Sequence, residues 1–126
     1  MKALIIDEPW ISKILSGEKT WEMRARTCNH RGPFGLIRKG SGQVVGVAEM
    51  VDCLPAIGSS VEYAKAEAFH RIPADVQGRV REKWNRPWVL KNAKPLRRPV
   101  HYQHKSGAVT WVELDPHVAA AVAAQV

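Results

Sequence analysis

Between residues 16 and 26 the chain sets Lys19, Glu22, Arg24 and Arg26 at close spacing directly after Gly17, with Trp21 among them. Lys19, Glu22 and Arg24 are the residues whose types could do chemistry together. A lysine beside a glutamate and an arginine can hold a phosphate or a base carbonyl. Stripped of water, the same lysine becomes a general base with a lowered pKa. The plainer reading is a row of charges on the solvated face of a strand. Gly17, just before the lysine, allows a ligand close to the backbone.

Other side chains could join such a site. Trp10 could stack a base, a contact worth about 1–3 kcal/mol where it occurs. Lys39-Gly40-Ser41-Gly42 could form an anion-binding nest of backbone N–H groups, or simply a hairpin turn. Lys105 belongs to a second basic turn before the last strand and would extend the same basic rim. His101 and His104 lie three apart in a loop with no third ligand nearby, so no metal is expected. Trp21 and Trp111 read as core, whereas Trp10, Trp84 and Trp88 are more open.

The elements that must position these residues follow from period and punctuation. Residues 3–6 form a short apolar run and read as a buried strand. Asp7 or Glu8 can cap the helix that follows, Pro9 suits its first turn, and Trp10, Ile11, Ile14 and Leu15 recur at helical spacing until Gly17. From Thr20 the period becomes two, with Thr20, Glu22 and Arg24 on one charged face and Trp21, Met23 and Ala25 on a buried one. Strands are expected over 34–38 and 43–53, the second bent or bulged at Gly46. Ser59 or Ser60 can cap a helix over 61–70, and Pro73 starts another to about residue 84. A strand at 88–90 leads into an edge-like stretch with Pro95 and Pro99, and 108–114 is the last strand. The alanine-rich end, 118–126, reads as a docking helix or a frayed tail.

The totals bound the class. The chain has 126 residues, 45% of them apolar, enough for one domain with a core of its own. A net charge of +7 attracts polyanions and suits nucleic acid or nucleotides. Cys28 and Cys53 are too few for a disulfide scaffold, and reduced thiols fit a cytoplasmic protein. No apolar run approaches the ~20 residues of a membrane span, and no leader or membrane partner is expected.

Gly17, Lys19, Glu22 and Arg24 resemble the G-x-K-x-x-E-x-R signature of the ASCH domain (activating signal cointegrator homology), a branch of the PUA-like superfamily. The resemblance extends to Glu8-Pro9-Trp10, His30-Arg31-Gly32, Val45-Gly46-Val47 leading to Val51-Asp52-Cys53-Leu54, and Trp88-Val89-Leu90. It covers residues 3 to 114. It implies an α+β fold, a small PUA-like β-barrel of about six strands with two to three flanking helices. The domain would occupy 1–114, leaving 115–126 as a tail or short helix. It also implies a cleft beside the helix that precedes the motif and a role with RNA or its modified bases; no cofactor is expected.

Two behaviours come with that family. Some members are nucleic-acid-binding modules. Some small bacterial members are hydrolases that remove acyl groups from N4-acylated cytidine. Those hydrolases resemble this chain at Gly17, Lys19, Thr20 and Arg24, but carry a hydroxyl residue where Glu22 stands, as part of a Thr/Ser-Lys-Glu triad. Thr20 or Ser41 would have to replace it, and Thr20 sits ~7 Å along the strand from Glu22. The triad's distant glutamate would come from Glu62 or Glu67.

Three readings follow. In the first, a domain binds RNA or a modified nucleotide through Lys19, Glu22, Arg24 and Trp10, with Lys39, Ser41 and Lys105 at the rim. In the second, an amidohydrolase on N4-acylcytidine, or a ribonuclease, uses Lys19, Glu22 and Thr20. In the third, the charge serves solubility on a protein-interaction module.

Overall fold

A computed structural model describes all 126 residues. Six strands, β1 (Lys2–Ile6), β2 (Trp21–Arg24), β3 (Gly32–Arg38), β4 (Gln43–Cys53), β5 (Arg86–His101) and β6 (Trp111–Glu113), form one mixed sheet in the order β2-β5-β4-β3-β1-β6. β1 and β3 run parallel and every other pair is antiparallel. The sheet curls into a half-barrel. Five short helices flank it, where two or three were expected: α1 (Trp10–Leu15), α2 (Ser60–Lys65), α3 (Glu67–His70), α4 (Ala74–Val80) and α5 (Pro116–Ala123). No helix is long and apolar enough to cross a membrane.

Gly46 makes the curl possible. The pairing of β4 with both neighbours slips beside it: against β3 Val45 is the extra residue of a bulge, and against β5 the excess, residues 96–99, lies on the partner strand. A Cβ on Gly46 would overlap the Leu15 side chain and sit 2.8 Å from the Lys94 carbonyl oxygen, so α1 and β5 both close on bare backbone there.

The sheet packs a core on each side. Ile11 and Ile14 of α1 join Leu4, Ile6, Phe34, Leu36, Met50, Trp88 and Leu90 in one cluster. Val118 and Val122 of α5 cover Ala3, Ile37, Val44 and Val112 in the other, so the alanine-rich end docks as a helix. A third, smaller cluster sets Met23 of β2 against Tyr63 and Ile72 from the helical segment between β4 and β5.

Sequence and structure part in several places. The expected helix over 61–70 divides into α2 and α3, the first capped by Ser59, whose Oγ accepts from the Glu62 N–H at 3.1 Å. Arg71 then adopts a left-handed conformation, φ +58°, which ends α3. The next helix stops at Val80 rather than near 84. β5 runs 16 residues instead of three. β2 covers only its first few residues; beyond Leu90 one edge of β5 is open, which is where prolines such as Pro95 and Pro99 are tolerated. The last strand keeps only Trp111–Glu113 of the expected 108–114.

Candidate functional site

Gly17 turns α1 back on itself. Its φ of +87° is the left-handed geometry that ends helices, and its N–H donates to Ile14 O at 3.0 Å. A Cβ there would meet nothing within 4 Å, so the glycine serves the turn rather than clearance. The Lys19 N–H then reaches Lys13 O, Thr20 N–H reaches Phe69 O, and the Arg71 guanidinium donates to Glu18 O at 2.9 Å. The motif is thereby fastened to both α1 and α3.

Its side chains do not face water. Lys19 is 2% exposed and Glu22 6%, while Met23 is also buried, so both faces of β2 are covered. The expectation of one solvated charged face fails: Tyr63 and Ile72 pack on Met23, and on the charged side Lys19 is drawn to the end of α3. Lys19 Nζ donates to His70 O at 2.6 Å, a free carbonyl at the end of α3, and lies 3.8 Å from Glu22 Oε1. It also stands 5.2 Å from the centre of the Trp10 ring. Glu22 Oε2 accepts from Arg24 Nε at 2.9 Å and pairs with its Nη2 at the same distance. Arg24 Nη2 donates onward to Ile5 O at 3.0 Å, and the guanidinium lies over Trp88.

Burial is the dominant influence on Lys19. It pulls the ammonium from its ordinary 10.5 to about 8, against the pull of Glu22 and with help from Lys13 and Arg24. Tyr63 donates its hydroxyl to Trp84 O at 2.7 Å; burial, assisted by the charge of Glu22, pushes the phenol up to about 12. His70 Nδ1 accepts from the Ile72 N–H, so the proton sits on Nε2, which donates to Tyr63 O at 2.7 Å. Burial lowers its pKa and keeps the ring neutral.

Lys19, Glu22 and Arg24 open onto a cleft of about 240 Å³. Asp7, Lys19, Glu22, Arg24 and Lys39 supply its polar atoms. Trp10 and Trp84 form aromatic walls, with Ile5, Met23, Ile72 and Val109 completing the lining. The volume is at or below the low end for small-molecule sites, roughly 300–1,000 Å³, and suits one base rather than a length of chain. No hydroxyl, thiol or imidazole lines it.

Of the residues singled out in the sequence, Lys19, Glu22, Arg24, Trp10 and Lys39 therefore share one cleft. Thr20 lies outside the lining, its backbone tied to Phe69 and Leu90. Ser41 closes its own turn, its Oγ donating to Arg38 O at 2.6 Å and accepting from the Gln43 N–H. Lys105 donates to Glu113 O at 2.9 Å and pairs with Asp115, away from the cleft. Glu62 is exposed, and Glu67 accepts from Gln77. Trp21 and Trp111, read as core, are half-buried and stack on Phe69 and Trp88. Sequence reasoning missed Asp7 and the His70 carbonyl; the second is a backbone group and leaves no mark in residue type.

The sequence model of the ASCH domain matches residues 4–100. The chain belongs to the ASCH domain family. No curated protein matches it. Among solved structures, this ASCH domain is similar to the ASCH protein of Zymomonas mobilis. It superposes on two crystal structures of point variants with TM-scores of 0.75 and 0.73, covering 98% of this chain and 96% and 94% of theirs. For another crystal structure of that protein the TM-score is 0.72, with 98% and 93% covered. All three are 12% identical to this chain, a likeness that shows the shared fold.

Proposed function

We propose that this ASCH domain binds RNA through a single unpaired or modified base held in the Lys19–Glu22–Arg24 cleft. The observation that carries the reading is a buried group of charges opening onto a space of one-base size between two tryptophans. Lys19 spends one N–H on His70, leaving donor capacity for a base carbonyl, and Arg24 Nη1 has no partner in the protein. Glu22 orients both and can accept from an exocyclic amine. Trp10 and Trp84 would flank the ring, and the net charge of +7 favours the phosphates beyond it. In a fluorescence anisotropy titration, labelled single-stranded RNA should bind, weaken steeply with added salt and lose affinity in Arg24→Ala. A signal that ignores both salt and the substitution contradicts the proposal and leaves the protein-interaction module.

One observation favours hydrolysis as a second reading, the Lys19 ammonium at about 8, which fits a base at mildly alkaline pH. Lacking a hydroxyl in the cleft, such an enzyme would direct water at the acyl carbon of N4-acetylcytidine, giving cytidine and acetate. Incubation with pure protein should yield no cytidine if the binding reading holds. Release of cytidine by the wild type and not by Lys19→Ala would replace it with the amidohydrolase, and scission of the labelled RNA that is absent in Lys19→Ala would do so with a ribonuclease.

A further inference from the structure

A second groove, of about 400 Å³, opens beside the cleft and shares Arg24 and Trp84 with it. Its floor is Trp88, 3% exposed, whose indole N–H donates to Arg26 O at 2.8 Å. Trp111 stacks nearly parallel to Trp88, with ring centres 6.1 Å apart and planes at 12°. Trp84 and Trp111 are each half-buried, leaving part of their surface to the groove. No acidic residue lines it. Arg26 is exposed and in no ion pair, and neither the Thr27 nor the Thr110 hydroxyl has a partner in the protein. An aromatic wall, an unpaired cation and free hydroxyls make a surface for a base, a phosphate and a ribose.

We infer that this groove takes the nucleotide adjoining the one in the cleft, so that the ligand is a single RNA strand rather than a free nucleoside. The inference rests on the cleft being a base site. The neighbouring base packs on Trp84 and Trp111. The phosphate between the two nucleosides lies within the reach of Arg24 and Arg26, and Thr27 or Thr110 meets the 2′-hydroxyl. Continuity with the cleft and the one-sided charge favour this occupant over an apolar peptide.

Calorimetry separates the two claims. Adenosine, guanosine, uridine, cytidine and N4-acetylcytidine are titrated singly, then as the central residue of RNA trimers flanked by uridines. The trimer of the best-bound nucleoside should bind about tenfold more tightly than the nucleoside alone. In Arg26→Glu, and to a lesser degree Arg26→Ala, that gain should shrink towards twofold. Only the carbonyl of Arg26 is used within the protein, so both variants keep the bond to Trp88. Should a nucleoside bind while its trimer binds no better, or should Arg26→Glu keep the full gain, the groove is not a nucleotide site and the cleft reading survives. Should neither nucleoside nor trimer bind, both fall. Equal affinity for the deoxy trimer overturns the assignment to RNA.

Discussion

The segment from Lys19 to Arg24 and the far half of β5 are both dense in charge, yet they live in different solvents. Lys19 and Glu22 are buried and Arg24 half-buried, each tied to a named partner. Lys91, Lys94, Arg97 and Arg98 stand exposed and in no ion pair. The end of α3 closes on Lys19 in the first row, whereas the second row keeps its side chains in water, with only the Arg98 backbone bonded to Gln125. Buried charge has to be partnered, because removing one partner strands the other in a poor solvent. Exposed charge contributes a field that draws polyanions but fixes no geometry. Under the proposed function the first row would form the site, and the second would supply the field through which RNA approaches it.

The sharpest way to break that contrast is to remove one charge from each row. Glu22→Ala leaves Lys19 and Arg24 without their shared carboxylate and should cost about 3–5 kcal/mol in urea unfolding. Comparable small losses from Glu22→Ala and a β5 substitution would mean that the two rows are alike.

The next largest effect comes from pH. Lys19 titrates near 8 in the folded chain and near 10.5 when unfolded. Between those values the unfolded chain holds a proton that the native one has released, so stability rises with pH across the window. The whole effect is roughly 3 kcal/mol. Because Tyr63 is shifted the other way, to about 12, its contribution falls above pH 10. The stability difference between wild type and Lys19→Met, followed by urea unfolding from pH 7.5 to 10, isolates the lysine. It should move in favour of the wild type as pH rises, and a pH-independent difference would place Lys19 in water.

Gly46 sits between the second region and α1, the helix that leads into the first, since Leu15 of α1 and the Lys94 carbonyl of β5 both meet there. Gly46→Ala forces one of them aside and should lower stability by about 1–3 kcal/mol, read as a fall in the urea midpoint. The smallest effect belongs to β5, where Lys94→Ala should stay within about 0.5 kcal/mol of wild type in the same measurement.

Much of this was legible in residue pattern. The turn at Gly17, the helix set by Trp10, Ile11, Ile14 and Leu15, and the bulge at Gly46 are local, because glycine and apolar spacing act within a few residues. The signature residues named the members of the charged group. Their burial was not legible. It depends on His70, 51 positions from Lys19, offering a backbone carbonyl, and on a helical cover whose own apolar spacing does not say which strand it meets. Ser41 and Lys105 looked like rim residues because a basic turn in sequence has the same composition whether it faces a ligand or satisfies itself. The length of β5 was hidden by Pro95 and Pro99, which are costly in a central strand but tolerated along its open edge.

The central claim, that Lys19 is a desolvated group inside an RNA site, is tested most directly by NMR of lysine labelled with 13C at Cε, with Lys19→Met assigning the signal. Titrated alone, the Lys19 resonance should turn over near pH 8, and at constant pH it should shift as the RNA trimer saturates the protein. A turnover at the ordinary 10.5, with a resonance that ignores RNA, would contradict the account.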